Sequence, residues 1–335
     1  IEADYPKSII INTDNLKAWD SGLLVFLTEL SGMCEEHNML LDTKPLPDGV
    51  LRLLEMARAA PEAHPDERGK QHNVLEQIGD YYSRLYEDGR SAIKFVGDIV
   101  VSIGNIVLGH GSTKRTDFML IIEESGVRAL PIVGLISFLT GMILAFVGSL
   151  QLQAFGAEIY VADLVGITMF REMGAIMVGI VMAGRTGAAF AAQLGSMKVN
   201  EEIDALRTLG ISPMEFLVVP RVVALVLMMP ILVTYANFIG VMGGWIVSCT
   251  VSNITTMQYY TQTVEALTIN SYMVGVTKGA VFGILVACCG CLRGMQCEGS
   301  AHSVGKAATS AVVTTITTII IADALFAIFC EIFNI

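Results

Sequence analysis

Charge is scarce in this sequence. Only 16% of its 335 residues are Asp, Glu, Lys or Arg, against 53% hydrophobic, and mean hydropathy is +0.60; that balance excludes an ordinary soluble globular protein and predicts a membrane protein. Positive charge is scarcer still, with 21 Lys and Arg against 32 Asp and Glu and a net charge of −11, so no basic field exists to attract nucleic acid. The seven cysteines sit mostly inside apolar runs, which excludes a secreted disulfide framework and fits thiols acting as small hydrophobes. A glycine-rich phosphate loop, a metalloprotease helix and a nucleophile elbow are all missing, so the chain is not expected to be an enzyme, to hydrolyse a nucleotide or to bind a cofactor of its own. The opening residues lack a basic segment followed by a short apolar core; no cleavable leader is expected, and there is place for a first strand ahead of Ile1.

The charge that is present is unevenly spread. Residues Ile1 to Arg90 hold 26 of the charged side chains, 9 basic and 17 acidic, so a polar segment precedes an apolar one. The first reads as a small α/β domain. Ser8 to Thr13, with Ile9, Ile10 and Ile11, suits a strand; Asp20 is placed to cap a helix with the stripe Leu23, Leu24, Leu27, Leu30, Met33 and Cys34. A short run from Asn38 to Asp42 and a helix through Val50, Leu51, Leu54 and Ala57 follow, and residues 61–90 read as a linker and connecting segment. From Ser91 to Gly109, Lys94, Asp98, Ser102 and Asn105 form one polar stripe on an otherwise apolar helix. Such a helix suits the plane of a membrane interface, the alternative being a helix packed on the soluble domain.

Five membrane spans are expected between residues 129 and 335. Arg128 and Glu158 enclose 29 uncharged residues and Arg221 and Glu265 enclose 43, where about 20 suffice to cross the hydrocarbon core. Basic residues before the first span and after the second, with none between Cys249 and Ser271, favour one long third helix over a hairpin. The N-terminus is then cytoplasmic and the C-terminus outside. Lys278, near the outer end of the fourth span, has no place in that scheme, and Asp323 stands alone in the fifth.

Residues 171–213 carry the most information. Arg171 and Glu172 are expected at the outer start of the second span, where ionisable groups either pair or meet a polar ligand. Ala183, Gly184, Gly187, Ala188, Ala191 and Ala192 allow another helix to approach closely. Asn200 is placed to cap a short cytoplasmic helix within 198–210, carrying Glu201, Glu202, Asp204 and Arg207 on its water side, Val199, Ile203, Leu206 and Leu209 on its apolar side, and Gly210 and Pro213 at its end. So bounded a helix suits docking of a soluble partner, the alternative being a solvated connector. Cys288, Cys289, Cys291, Cys297 and His302 admit a metal site, with packing thiols favoured over it.

These segments resemble the MlaE/YrbE permease family, membrane subunits of ABC-type lipid transporters that work with MCE substrate-binding proteins. The resemblance rests on Arg171 to Gly174, Ala183 to Gly187, Met197 to Leu206, Val219-Pro220-Arg221 and Gly299 to Thr309, with His302 and Lys306 departing from the usual small residues. It runs from Ser91 to the C-terminus. It implies a homodimer, two copies of a separate ABC ATPase that uses ATP and docks on the 198–210 helix, an MCE-domain partner, and phospholipid bound near Gln151, Phe155, Arg171, Glu172 and Met173. It further implies the bacterial inner membrane. Residues 1–60 resemble a STAS domain through Trp19-Asp20-Ser21-Gly22-Leu23, although Trp19 stands where the family has an acidic residue. Ser21 matches the position phosphorylated in some STAS proteins; its alternative role is in the helix cap. The fold class expected is therefore a mainly α membrane protein, one interfacial helix (91–128) plus five spans, preceded by a small STAS-like α/β domain. Rival readings are a STAS-bearing secondary anion transporter and a non-transporting membrane scaffold.

Overall fold

A computed structural model describes residues 8–11, 21–36, 39–42, 46–59, 74–107, 115–252 and 254–333. Its contacts divide the chain into two compact units, Ile1–Tyr82 and Ser83–Ile335. In the first, β1 (Ser8–Ile10), α1 (Ser21–Glu36), β2 (Leu40–Asp42) and α2 (Asp48–Ala59) follow one another. The strands pair in parallel with Ile9 opposite Leu41, a pairing that needs a crossover and finds it in α1. Leu27, Leu46, Val50 and Leu54 form the small core, with Leu23, Leu24 and Leu51 against it. Met33, expected in the apolar stripe, is instead exposed, and Ser31, two residues before it, is buried. Ser21 opens α1, while Trp19 and Asp20 lie outside the described residues.

The next helix is longer than the polar stripe suggested. α3 runs from Val74 to Val107, so helix replaces most of the expected 61–90 linker. Leu75, Ile78, Tyr82 and Leu85 continue the helical spacing upstream of Ser91 and account for the extension. Within the second unit Phe95, Ile99 and Ser102 turn inward, whereas Ile93, Val96, Val100 and Val101 remain exposed. Ser102 therefore leaves the polar stripe. Asn105 Nδ2 donates to Glu215 Oε1 at 3.1 Å, holding the end of α3 to the start of the third long apolar helix.

Five helices are long and apolar enough to cross a membrane: Thr116–Gln153, Glu158–Val199, Met214–Val251, Ile269–Met295 and Ala301–Phe333, called spans one to five. The chain is a multi-pass membrane protein. The third span is one continuous helix through Pro230, as the distribution of basic residues predicted. Between spans two and three lies α4 (Glu202–Thr208), and between spans three and four α5 (Thr256–Ala266), opened by a reciprocal cap in which Thr255 N donates to Gln258 Oε1 at 3.1 Å.

Lipid offers no hydrophobic force to press helices together, so close backbone approach through small residues must supply the contact. A Cβ on Gly141 of span one would lie 1.8 Å from Gly240 O of span three. Likewise a Cβ on Gly290 of span four would lie 2.7 Å from Gly187 O. The small residues of span two thus find a partner in span four of the same chain. Around these contacts Val178, Met182, Leu225, Met229, Leu232, Phe282 and Val286 form the principal core.

Candidate functional site

Three spans contribute ionised groups to one point in the bundle. Lys278 of span four is completely buried. Its Nζ donates to Glu172 of span two and, at 2.9 Å, to Asp323 Oδ1 of span five. Arg171 Nε stands 3.9 Å from the other carboxylate oxygen of Glu172. One lysine and two carboxylates carry a net charge of −1, which Arg171 offsets. An unpaired charge at this position would be expensive to bury; mutual pairing is what makes the site tolerable.

Local structure explains how these side chains meet. Arg171 and Glu172 do not open span two as expected, because its helix starts at Glu158 and continues to Val199. They fall inside a wide π-type turn, Met169–Met173, a device that inserts a residue and re-aims the side chains around it. A Cβ on Gly275 would come within 2.0 Å of Phe170 O, so span four approaches this turn as closely as backbone permits. Lys278 lies three residues further along the same helix face and is delivered directly to Glu172. Asn237, fully buried in span three, presses Oδ1 against Gly174, where a Cβ would lie 1.7 Å away.

Of the residues proposed to hold lipid, Arg171, Glu172 and Met173 share this turn and are part-buried. Gln151 is in the last turn of span one and Phe155, expected there too, lies in the turn beyond its end at Gln153; both are exposed, Phe155 by 83%. None of the five lines the apolar cavity of about 330 Å³ that opens beside Phe170. Phe238, Trp245, Tyr259, Tyr260 and Leu267 help enclose that space. Phe170 meets Phe238 edge to face with centroids 5.7 Å apart. Tyr259 of α5 donates its hydroxyl to Val241 O at 3.2 Å, and burial pushes its phenol well above the usual range.

At the far end of span two, α4 is bounded differently from the sequence expectation. Its N-cap is Glu201, in a left-handed conformation with φ 59°, and no side chain caps the helix. Asn200 instead donates Nδ2 to Glu202 Oε1 at 3.2 Å, because the backbone at 200 still closes the preceding helix through Asn200 N to Ser196 O. The C-terminus behaves as predicted: Gly210 takes φ 76°, Gly210 N donates to Arg207 O and Ile211 N to Leu206 O, each at 3.0 Å, which satisfies two carbonyls of the last turn. Ile203 is buried, but Leu209 is 74% exposed and leaves the apolar face. Glu201, Glu202, Asp204 and Arg207 all face solvent, with Arg207 Nη1 3.1 Å from Asp204 Oδ1. An exposed pair of this kind contributes little to stability, so these charges are available to a partner.

Lys278 and Asp323 were the residues that sequence reasoning left without a role. The signal was present in the form of one unmatched cation and one unmatched anion in two separate apolar runs, with the Arg171–Glu172 pair in a third.

Residues 118–329 match the family model described as Permease MlaE. A probable ABC transporter permease protein of Rickettsia typhi is 38% identical over 242 residues, covering 71% of this chain and 93% of that protein. A probable ABC transporter permease protein of Synechocystis sp. is 32% identical over 214 residues, 64% of this chain and 81% of the other. The chloroplastic protein TRIGALACTOSYLDIACYLGLYCEROL 1 of Arabidopsis thaliana is 32% identical over 202 residues, 60% and 58% respectively. The family match begins beyond the unit Ile1–Tyr82.

Proposed function

This chain belongs to the MlaE permease family, and from that premise we propose that it moves phospholipid or a related lipid between membranes of the bacterial cell envelope, driven by a separate ABC ATPase. It is a membrane permease subunit and not itself an enzyme. In this reading two copies of the chain form a homodimer, two ATPase subunits dock on α4, and an MCE-domain protein meets the outer face. The N-terminus and α4 are cytoplasmic, the C-terminus is periplasmic, and the exposed apolar side of α3 rests in the inner leaflet. Residues 1–60 act as a STAS-like unit that supports ATPase assembly.

The observation that carries the reading is α4, a short helix that with its N-cap Glu201 holds four charged side chains in solvent and one buried anchor, Ile203, joined by a two-residue turn to the span that holds Glu172. A push on α4 alters lipid affinity only if the two membrane states bind lipid differently. The charged cluster supplies such a difference, since its pairing changes whenever spans two, four and five shift. Arg171 and Glu172 then meet the headgroup, Met173, Gln151 and Phe155 the apolar part. Replacement of Glu201, Glu202 and Arg207 together by alanine is expected to abolish co-purification of the ATPase while the membrane unit keeps its thermal transition. Undiminished co-purification overturns the reading. Lipid movement that persists without ATP favours a secondary transporter, and none at all a scaffold.

A further inference from the structure

The turn joining spans four and five, at the end of the bundle from which α4 departs, encloses a second cavity, of about 300 Å³. Lys198, the penultimate residue of span two, donates Nζ to Met295 O at 2.7 Å, so the helix end that leads into α4 is tied to the rim of this turn. Two cations line the cavity, Arg293 from the last turn of span four and Lys306 from the second turn of span five. Gln296 and Ser310 add neutral polar groups, the Ser303 hydroxyl lines the wall while donating to the Glu298 and Ser300 carbonyls, and Glu298 gives one carboxylate, leaving the lining with a formal charge of +1. Arg293 is fixed in place, donating Nη1 to Gln296 Oε1 at 3.1 Å and Nε to Thr314 Oγ1 at 3.4 Å. Lys306 is exposed and forms no ion pair among the described residues. Ser303 stands in the first turn of span five, where the helix presents its positive end.

We propose that this cavity is a binding site for a phosphate group, carried by a membrane lipid or free in solution. A guanidinium, an exposed ammonium and a serine hydroxyl, that of Ser310, on one concavity are groups that phosphate oxygens accept from. The space is ample, since a water occupies about 30 Å³ of liquid. Lipid phosphates lie at the depth of span ends, so a headgroup is within reach without leaving the bilayer. The site is separate from the charged cluster: Arg293 follows Lys278 by fifteen residues of one helix, about 22 Å along its axis. It goes beyond the transport reading and stands whether or not lipid meets Glu172.

The test uses the full chain in detergent, exposed in turn to phosphatidylglycerol, to diacylglycerol, which has the same chains without phosphate, and to inorganic phosphate, with retained adducts read by native mass spectrometry. Wild type is expected to retain phosphatidylglycerol over diacylglycerol, K306Q to retain it roughly tenfold less for the loss of one charge-assisted contact, and K306R to restore it. Lys306 is exposed, so K306Q leaves folding intact. Inorganic phosphate that binds wild type but not K306Q, with no lipid adduct, assigns the site to the free anion. Equal retention by wild type and K306Q, or equal retention of phosphatidylglycerol and diacylglycerol, overturns the proposal.

Discussion

Lys278 shows at the scale of one side chain how charge is made compatible with an apolar interior. Its ammonium has no solvent contact and is held by Glu172 and Asp323. Removing one member of a buried ionic group strands the others, at about 3–5 kcal/mol. K278M is therefore expected to lower the thermal midpoint of the purified protein sharply, whereas K278M/E172Q/D323N, which leaves charged only the part-exposed Arg171, recovers most of the loss. If K278M alone is as stable as wild type, the pairing is not what holds the cluster. Glu201 and Asn200 give a gentler contrast. Because Asn200 does not cap α4, N200A is expected to cost less than about 0.5 kcal/mol rather than the ~1 kcal/mol of a lost cap. E201G, relieving a left-handed non-glycine residue, is expected to stabilise by about 1 kcal/mol. Both are measured as thermal shifts.

At the scale of elements, glycines decide where helices touch. Gly141 lies against the backbone of Gly240, so a larger residue must separate spans one and three. G141L is expected to cost more than about 3 kcal/mol through overpacking and to reduce the folded yield, while G305A, with nothing within 4 Å of its Cβ, is neutral. Equal yields would mean that spans one and three do not rely on this approach. The spans were legible because length and hydropathy suffice to recognise a helix in lipid. Their ends were not: Arg171 and Glu172, expected at the start of span two, lie well inside a helix that begins at Glu158, because Glu158 and Asp163 put charge into its first turns. Asp163 in fact accepts from Gln262 of α5 at 2.9 Å. The upstream half of α3 was missed for a related reason, as its apolar residues are spaced among charges that resemble a linker.

At the scale of the whole molecule, the proposed function gives span two a double task, contact with an ATPase through the α4 that follows it and contact with lipid at the π-type turn inside it. The two variants described above separate these roles. The neutralised K278M/E172Q/D323N protein is expected to keep ATPase co-purification and lose lipid transfer between donor and acceptor vesicles, and the α4 triple variant to lose both. Transfer by the neutralised protein at the wild-type rate would remove the cluster from the mechanism.

The sequence alone determined that this chain enters a membrane, crosses it with five helices, and carries a short acidic helix between the second and third. Those features follow from composition and period, which act locally. Only the tertiary structure decided that Glu172, Lys278 and Asp323 belong to one cluster. Three residues on three helices, separated by 106 and 45 positions, share no local period. Their meeting depends on Gly275 admitting span four to the π-type turn, an approach that exists only once the helices pack.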